Sequence, residues 1–360
     1  YTNRIPFKAY TPYKSHVGAQ GMLFGVLDRV VPLAPELKLE LFRGLSALFT
    51  AAALAVLVLW FRNEFGWCAS LFVLVSCISS RWLTVFGRNL YWSVWSFYVP
   101  LILVTSRIGH SSGGWPRSLG LGLIAFAGLA LKCLFSGYEY ITTALLMPFV
   151  PLVYYGLRRR YTWRRWLQDG MTLSVGLGLA VVVTVAIVVF QIAAVSGSFG
   201  DAVTYLYGRF GLRTHGLDRE VGGRVGDSIR AGTAGVLLTY IKGTFFDANH
   251  WIDIARVLPR GGWRLARYVF NVRYIHLIVL FICVSFFGWF MPGRGAGQGG
   301  REARRALAIA LWVSILAPLS WFVVFKAHSY AHTHMNFLVW QMPFTLFGFA
   351  LAGLVARDLV

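Results

Sequence analysis

Nine stretches of largely apolar residues, each close to the length of a membrane-spanning helix, recur along this chain. They cover residues 44–60, 65–80, 90–106, 118–136, 140–157, 171–194, 274–292, 306–325 and 336–356. A helix needs about 20 such residues to cross the hydrocarbon core of a bilayer, with a range of about 17 to 25. The sequence therefore predicts an all-α polytopic membrane protein with about nine transmembrane helices.

The composition argues against a soluble domain. Of the 360 residues, 57% are hydrophobic and 13% are charged, whereas soluble domains carry about 25% charged residues. Leu, Val, Phe and Trp dominate the apolar stretches. Such continuous runs favour helices over the alternating strands of a membrane barrel.

The chain is strongly basic, with 34 Lys and Arg residues against 14 Asp and Glu residues and a net charge of +20. Much of the arginine lies in clusters beside the apolar stretches. In membrane proteins such flanking charge sets the orientation and contacts anionic headgroups. We therefore expect membrane lipids as partners and no nucleic acid.

The arginine clusters also predict an orientation. The loops 158–165 and 294–305 are rich in arginine, and alternation of the predicted helices places them on one side. Short cytoplasmic loops are enriched in Lys and Arg, so we assign this side to the cytoplasm of a bacterial plasma membrane. The extracytoplasmic face then contains five segments, which are residues 1–43, 81–89, 137–139, 195–273 and 326–335.

This topology divides the chain into four parts. Residues 1–43 form an outer loop with interfacial helices, and 195–273 form a second outer segment with amphipathic portions. Residues 44–194 and 274–360 form the transmembrane helices. An outer position of residues 1–43 implies a further helix upstream of Tyr1.

Two arginines lie in the short outer segment 81–89. Arg81 and Arg88 form a candidate clamp for a phosphate or pyrophosphate, because guanidinium forks match phosphate oxygens. Contact of these long side chains with lipid headgroups is the alternative interpretation.

The hairpin Ser136-Gly137-Tyr138-Glu139-Tyr140 joins two predicted spans with almost no loop. A carboxylate so near hydrocarbon has either of two roles. Burial raises its pKa and suits it to acid or base catalysis, or the carboxylate forms a structural salt bridge with an outer arginine.

The turn from Lys326 to Asn336 holds His328, His332 and His334. Ionisable groups at a membrane boundary are costly and often functional. Residues 328 and 332 are four apart, so one helical face presents both imidazoles. Three interpretations stay open, which are a divalent metal site, a site for phosphate or sugar, and interfacial packing.

The outer segment 195–273 contains Tyr205-Leu-Tyr-Gly-Arg209-Phe-Gly-Leu-Arg213, followed by a Gly-rich polar run through Asp227. That run lacks a periodic apolar face and is typical of a loop. A basic loop above an outer cavity would suit closure over an anionic lipid, with Arg213 as a binding residue. A plain connector is the alternative.

Three segments carry a family resemblance, which are Tyr10-Thr-Pro-Tyr-Lys-Ser-His16-Val-Gly-Ala-Gln20-Gly21, Gly137-Tyr138-Glu139 and His332-Thr-His334-Met-Asn336. Together with the predicted architecture, they resemble the GT-C class of membrane glycosyltransferases. This class includes the protein O-mannosyltransferases and the lipid A aminoarabinose transferases. The resemblance covers most of the chain at the level of architecture.

The resemblance implies a GT-C-like bundle and a polyprenyl-phosphate sugar as donor. It also implies an acidic residue in the first outer loop that acts as base or metal ligand, which leaves a divalent metal open as a cofactor. In that class the acid lies just after the first helix, which here falls upstream of Tyr1. Asp28 is the nearest acid in this chain, and no Asp-x-Asp motif is present.

The leading interpretation is sugar transfer from a polyprenyl-phosphate-linked donor to an acceptor at the extracytoplasmic face. Arg81, Arg88 and Lys326 would stabilise the leaving phosphate. Glu139, or an acid upstream, would activate the acceptor hydroxyl, and the histidine turn with Tyr138 would bind substrate. A transporter or flippase for an anionic lipid or glycan is an alternative, although no internal repeat is visible. A packing subunit of a membrane complex is another.

Overall fold

The structure is a computed structural model that describes residues 14, 16–110, 115–216, 232–247, 271–290 and 298–360. Its α-helices are α1 (Ala19–Val30), α2 (Pro35–Phe65), α3 (Trp67–Ser79), α4 (Arg81–Phe86), α5 (Val94–His110), α6 (Trp115–Ser136), α7 (Ile141–Leu146), α8 (Phe149–Arg158), α9 (Trp163–Ser196), α10 (Phe199–His215), α11 (Thr233–Ile241), α12 (Tyr274–Phe290), α13 (Gln298–Ser314), α14 (Leu316–Val324), α15 (Lys326–Ala331), α16 (Thr333–Asn336) and α17 (Phe344–Leu359). A 3₁₀ helix covers Phe337–Gln341, and two short strands are β1 (Thr244–Asp247) and β2 (Asn271–Arg273). The predicted all-α class is confirmed.

The prediction of nine spanning helices is confirmed only in part. In the described residues, five helices are long and apolar enough to cross a membrane: Pro35–Phe65, Ser118–Ser136, Ile141–Arg158, Trp163–Ser196 and Gly300–Val324. A bent pair, Thr333–Gln341 with Phe344–Leu359, makes a sixth if it is taken as one span. The other predicted spans correspond to the shorter apolar helices α3, α5 and α12. These apolar helices support a membrane protein.

The long helices pack side by side and give the bundle two ends. At one end, the Tyr154 hydroxyl donates to Glu64 Oε1 at 2.8 Å, and Arg159 donates to the Ile108 carbonyl at 2.8 Å. At the other end, the Tyr140 hydroxyl donates to the Met335 carbonyl at 3.1 Å. We call these the Glu64 end and the Glu139 end.

Helices α6 and α9 make the most extensive helix pair of the bundle. Their contact depends on small residues, because a Cβ atom added at Gly176 would lie 2.2 Å from the Gly122 carbonyl oxygen. Close approach of backbones at glycine is a common way to pack helices in a membrane, where dispersion replaces the hydrophobic effect as the driving force. This pair forms the rigid side of the site described below.

Two of the predicted apolar stretches contain a local irregularity next to a proline. Stretch 140–157 divides into α7 and α8, with Pro148 at the break. Stretch 336–356 begins as the 3₁₀ helix and turns by 43° into α17 after Pro343. Proline lacks an N–H donor and clashes with the preceding turn, which explains both breaks. Pro100, in contrast, lies inside the continuous helix α5.

The N-terminal part differs from the prediction in one respect. Helix α1 exposes apolar side chains such as Met22 and Val26, as expected of an interfacial helix. Residues 35–43, which belong to the segment predicted as an outer loop with interfacial helices, are the first turns of α2. The helix is continuous across residue 44, because nothing in Pro35–Phe65 breaks it.

The described parts of the segment 195–273 are largely helical or extended. It contains α10, α11 and β1, and β1 pairs antiparallel with β2. The indole nitrogen of Trp82 donates to the Thr244 carbonyl at 2.8 Å and ties this hairpin to the Glu139 end. The Gly-rich run through Asp227 lies outside the described residues.

Candidate functional site

The site is built around the tight turn between α6 and α7. Gly137 adopts a left-handed conformation with φ of 62°, and Tyr140 does so with φ of 54°. Glycine is also required at 137 by packing, because an added Cβ atom would lie 2.7 Å from the Cβ atom of His16. The turn therefore holds Tyr138 and Glu139 in a fixed position above the membrane-spanning helices.

A buried lysine stabilises this turn through two hydrogen bonds. The ammonium of Lys132 donates to the Gly137 carbonyl at 2.7 Å and also to the Glu139 carbonyl. Lys132 is fully buried in the span Ser118–Ser136, and its ammonium lies 5.4 Å from the centre of the Phe97 ring. Two carbonyls of the turn that follows α6 thus obtain a charged donor.

The Glu139 carboxylate is buried and paired on both oxygens. Its Oε1 lies 2.8 Å from Nη2 of Arg213, and its Oε2 lies 3.3 Å from Nε2 of His328. The contact with His328 is an ion-pair distance without the orientation of a hydrogen bond, since both atoms lack a hydrogen-bond partner among the described residues. Residues of three separate elements, the α6–α7 turn, α10 and α15, therefore meet at this carboxylate.

Burial raises the pKa of the Glu139 carboxyl, but the nearby His328 side chain and the Arg213 guanidinium outweigh burial and lower the pKa to about 2. The sequence left a raised pKa and a structural salt bridge open, and the geometry corresponds to the salt bridge. A carboxylate with so low a pKa is a weak base. Its evident effect is to hold Arg213 and His328 in place.

The histidine turn forms the second half of the site. The imidazole centres of His328 and His332 are 4.6 Å apart, and His332 and His334 are 5.9 Å apart. The carbonyl of His332 accepts a hydrogen bond from Asn336, which in turn accepts one from the indole of Trp321. The half-buried His332 has a lowered pKa because of burial and the neighbouring histidines, so its imidazole is neutral near pH 7.

A divalent metal was one interpretation of this turn. Within the described ranges, no group of three or more His, Cys, Asp and Glu side chains is arranged to hold a metal ion. His334 is exposed and lies beyond His332.

A cavity of about 680 Å³ opens beside Arg213 and His328. Its apolar wall includes Ile141 and the row Val181, Val185 and Val189, which are spaced four residues apart and share one face of α9. The opposite wall is α10, which contributes Val203, Leu206 and Phe210 among others. Val203 and Phe210 are exposed on the surface of the bundle, so the cavity is open along this side.

The polar residues of the cavity collect at the Glu139 end. They include Lys14, Tyr138, Tyr205, Arg209, Arg213, His328 and His332. The Arg209 guanidinium donates to the Tyr205 hydroxyl at 3.2 Å, and the Lys14 ammonium lies 5.9 Å from the centre of the same ring. The cavity therefore combines a long apolar wall with a basic rim.

The structure places the other predicted residues away from this cavity. Asp28 pairs with Lys38 at 3.2 Å. Arg88 pairs with Glu40 at 3.0 Å, and the Arg81 guanidinium lies 5.5 Å from the centre of the Trp82 ring. Lys326 begins α15 but is not among the lining side chains. Arg81 and Arg88 of the predicted clamp, and Lys326 with them, therefore do not line this cavity.

The sequence analysis did not identify four residues that lie at or next to the site, namely Lys14, His16, Lys132 and Arg209. Lys132 had a visible signal, because it is the one charged residue within the predicted span 118–136, and such residues commonly mark functional sites. Arg209 and Arg213 also stand four apart, as residues on one helical face do. Lys14 and His16 had no such signal, since their placement depends on tertiary contacts.

The comparisons with known proteins add no relative. A scan against family models and searches of curated proteins and of solved structures found no match to this chain.

Proposed function

We propose that this protein is a membrane enzyme that transfers a sugar from a polyprenyl-phosphate-linked donor to an acceptor at the extracytoplasmic face of a bacterial plasma membrane. One observation carries the proposal: a single cavity joins an apolar wall on α9 to a basic rim at the Glu139 end. An isoprenoid chain would pack against the apolar wall, and a phosphate would bind at the basic rim. The resemblance of three segments to the GT-C class supports the same substrate class.

The lipid chain would lie along the row Val181, Val185 and Val189. Eight residues of α-helix rise by about 12 Å, so this row lines a path for the first part of the chain. The remainder would extend into the bilayer along the open side of the cavity beside Val203 and Phe210.

The phosphate would bind at the rim, where Arg213 and Arg209 supply planar forks of donors and Lys14 supplies a mobile charge. Arg213 is held by Glu139 at 2.8 Å, so its position is set before a ligand arrives. Preorganised charge of this kind is commonly the largest contribution to catalysis.

In the transfer step, an acceptor oxygen would bond to the anomeric carbon while the bond from that carbon to the phosphate oxygen breaks. The electron pair of the broken bond stays on the phosphate, where Arg213 and Arg209 would stabilise it. The acceptor proton would pass to His332, whose imidazole is neutral near pH 7 and lines the cavity. Glu139 acts here as a positioning residue for Arg213 and His328.

The test uses the purified chain in proteoliposomes with polyprenyl phosphates that carry a radiolabelled sugar, and follows the label from the lipid to the water-soluble or protein fraction. We expect Arg213→Gln and His332→Gln each to lower the rate at least about a hundredfold, in the range of lost oxyanion donors and of lost acid–base groups. Arg164→Gln, which changes an exposed arginine at the other end, should leave the rate unchanged.

The transport alternative predicts a different result. Movement of the labelled lipid between leaflets without release of its sugar, abolished by Arg213→Gln, would replace the enzyme proposal with a flippase. The bent pair of Thr333–Gln341 and Phe344–Leu359 favours this alternative, since broken helices are common in transporters. The position of the charged groups at one end of the bundle, rather than at its middle, favours the enzyme.

A further inference from the structure

The rim of the cavity carries more positive charge than one phosphodiester requires. Lys14, Arg209 and Arg213 line it, and Glu139 is the one carboxylate that the described structure places in contact with them. Among the described residues, three cations against one carboxylate leave two positive charges. The buried ammonium of Lys132, directly behind the turn, adds to the positive potential.

The positive charge of the rim then favours some lipid phosphates over others, according to the negative charge of their headgroups. A lipid-linked sugar phosphate is a diester and carries one negative charge, whereas a phosphomonoester carries about −1.5 to −2 near neutral pH, since its second pKa is about 6. In the partly dehydrated mouth of a cavity, charges interact more strongly than in water. A rim with two uncompensated cations therefore favours the more highly charged headgroup.

We infer that the rim formed by Lys14, Arg209 and Arg213 is matched to a dianionic phosphate headgroup, so that the site binds a lipid phosphomonoester more tightly than the corresponding diester. This inference rests on the proposed function and deepens it. In sugar transfer from a lipid phosphodiester, the leaving group gains its second negative charge as the bond to the sugar breaks. A site that favours the dianion is complementary to the late stage of the reaction, and only such differential binding accelerates the chemical step.

The experiment compares two ligands that differ by one charge. Geranyl phosphate is a monoester, and its methyl ester is a diester with the same chain. Their affinities for the purified full chain in detergent micelles are measured by calorimetry at about pH 8 and about pH 5. We expect the monoester to bind about tenfold more tightly at the higher pH, as one added charge near two cations predicts. At the lower pH both ligands are largely monoanions, so the ratio should approach one.

Several groups of the protein around the cavity also carry or gain charge over this range. They are Lys14, His16, Lys132, Glu139, Arg209, Arg213, His328 and His332. A change in the charge of the protein alters the affinity for both ligands in the same direction, and the ratio of the two affinities removes the common part. The change in the ratio with pH therefore reports the charge of the ligand.

Variants locate the effect within the rim. Arg209→Gln and Lys14→Gln should each reduce the monoester-to-diester ratio at the higher pH about threefold, and Arg164→Gln should leave it unchanged. Equal affinities for the two ligands at the higher pH would overturn the inference while leaving the proposed lipid site intact. Absence of binding by either ligand would overturn the lipid site and the inference together.

Discussion

At the scale of single residues, the most costly feature is the ammonium of Lys132 inside a membrane-spanning helix. Burial of a lysine in such a position is unfavourable unless its donors are satisfied. Lys132 satisfies two of them with the Gly137 and Glu139 carbonyls. These hydrogen bonds make the turn rigid, and the rigid turn directs the Glu139 carboxylate towards Arg213. The buried lysine is therefore unfavourable in itself but stabilises the geometry of the site.

We therefore expect the Lys132→Met substitution to lower the stability of the protein moderately and its affinity for a phosphate ligand more strongly. The substitution leaves two buried carbonyls without donors, which should cost about 2 kcal/mol of stability, visible as a lower midpoint of thermal unfolding in detergent. Affinity for geranyl phosphate should fall more than stability alone explains, because the Arg213 guanidinium is no longer held. Arg164→Met is the matched control and should change neither quantity. An unchanged affinity in a folded Lys132→Met protein would refute the positioning role.

His16 supplies a prediction about pH. Burial lowers the pKa of this imidazole to about 4, with the charges of Lys132 and Arg213 acting in the same direction, whereas an unfolded histidine titrates near 6.5. The unfolded chain therefore binds more protons between those values, so the free energy of unfolding falls as the pH falls through this window. The total loss is about 3 kcal/mol.

Unfolding midpoints measured between about pH 7 and about pH 4 check this expectation. His16→Asn should flatten the pH dependence, and His276→Asn, which changes an exposed histidine, should not. A His16→Asn protein with the same slope as the parent would assign the acid sensitivity to other groups.

At the scale of elements, α10 is the least firmly attached wall of the cavity. It packs on α9 through a small cluster of Val188, Val189, Ile192 and Ala202, which is separate from the main core. At its other end it is held by the Arg213–Glu139 ion pair and by the contact of Phe210 with Phe325. An element with so few buried contacts opens at low free energy, as binding lids generally do.

We therefore expect the ion pair to control the opening of α10. Arg213→Gln and Glu139→Gln should each speed amide hydrogen exchange in α10 about tenfold, which corresponds to about 1.4 kcal/mol. The double variant should exchange no faster than the singles, because both remove the same contact. Arg209→Gln is the matched control, since its partner Tyr205 lies on the same helix. Equal acceleration by Arg209→Gln would show that the ion pair does not hold the helix.

The helices themselves were largely predictable, and their lengths were less so. Apolar runs located every long helix because a membrane requires them. The first predicted span, 44–60, lies inside a longer helix, since helix formation begins at Pro35 and continues through residues with mixed polarity. The breaks near Pro148 and Pro343 depend on how neighbouring helices accept them, and Pro100 shows that proline alone does not decide.

The site was predictable only as separate pieces. Tyr138, Glu139, Arg213, His328 and His332 were each conspicuous in sequence, and the structure brings them together. Their pairing depends on tertiary contacts between distant segments, which no local pattern encodes. Arg81 and Arg88 were equally conspicuous, but they contact Trp82 and Glu40 instead.

At the scale of the whole molecule, the two ends of the bundle differ in how their charges are used. At the Glu64 end, carboxylates meet arginines in structural pairs, such as Glu64 with Arg158 and Asp358 with Arg304. At the Glu139 end, the cations that the structure describes around an open cavity outnumber the carboxylates described there. An excess of charge that the protein itself leaves uncompensated favours an external partner of opposite sign.

Cross-linking tests this central claim most directly. A polyprenyl phosphate with a photoreactive group in its first isoprene unit is incorporated into liposomes with the purified chain, illuminated, and mapped by mass spectrometry. The account predicts adducts on α9 around Val181, Val185 and Val189, lost on Arg213→Gln and retained on Arg164→Gln. Adducts spread over the outer faces of the helices, or an unchanged pattern in Arg213→Gln, would contradict it.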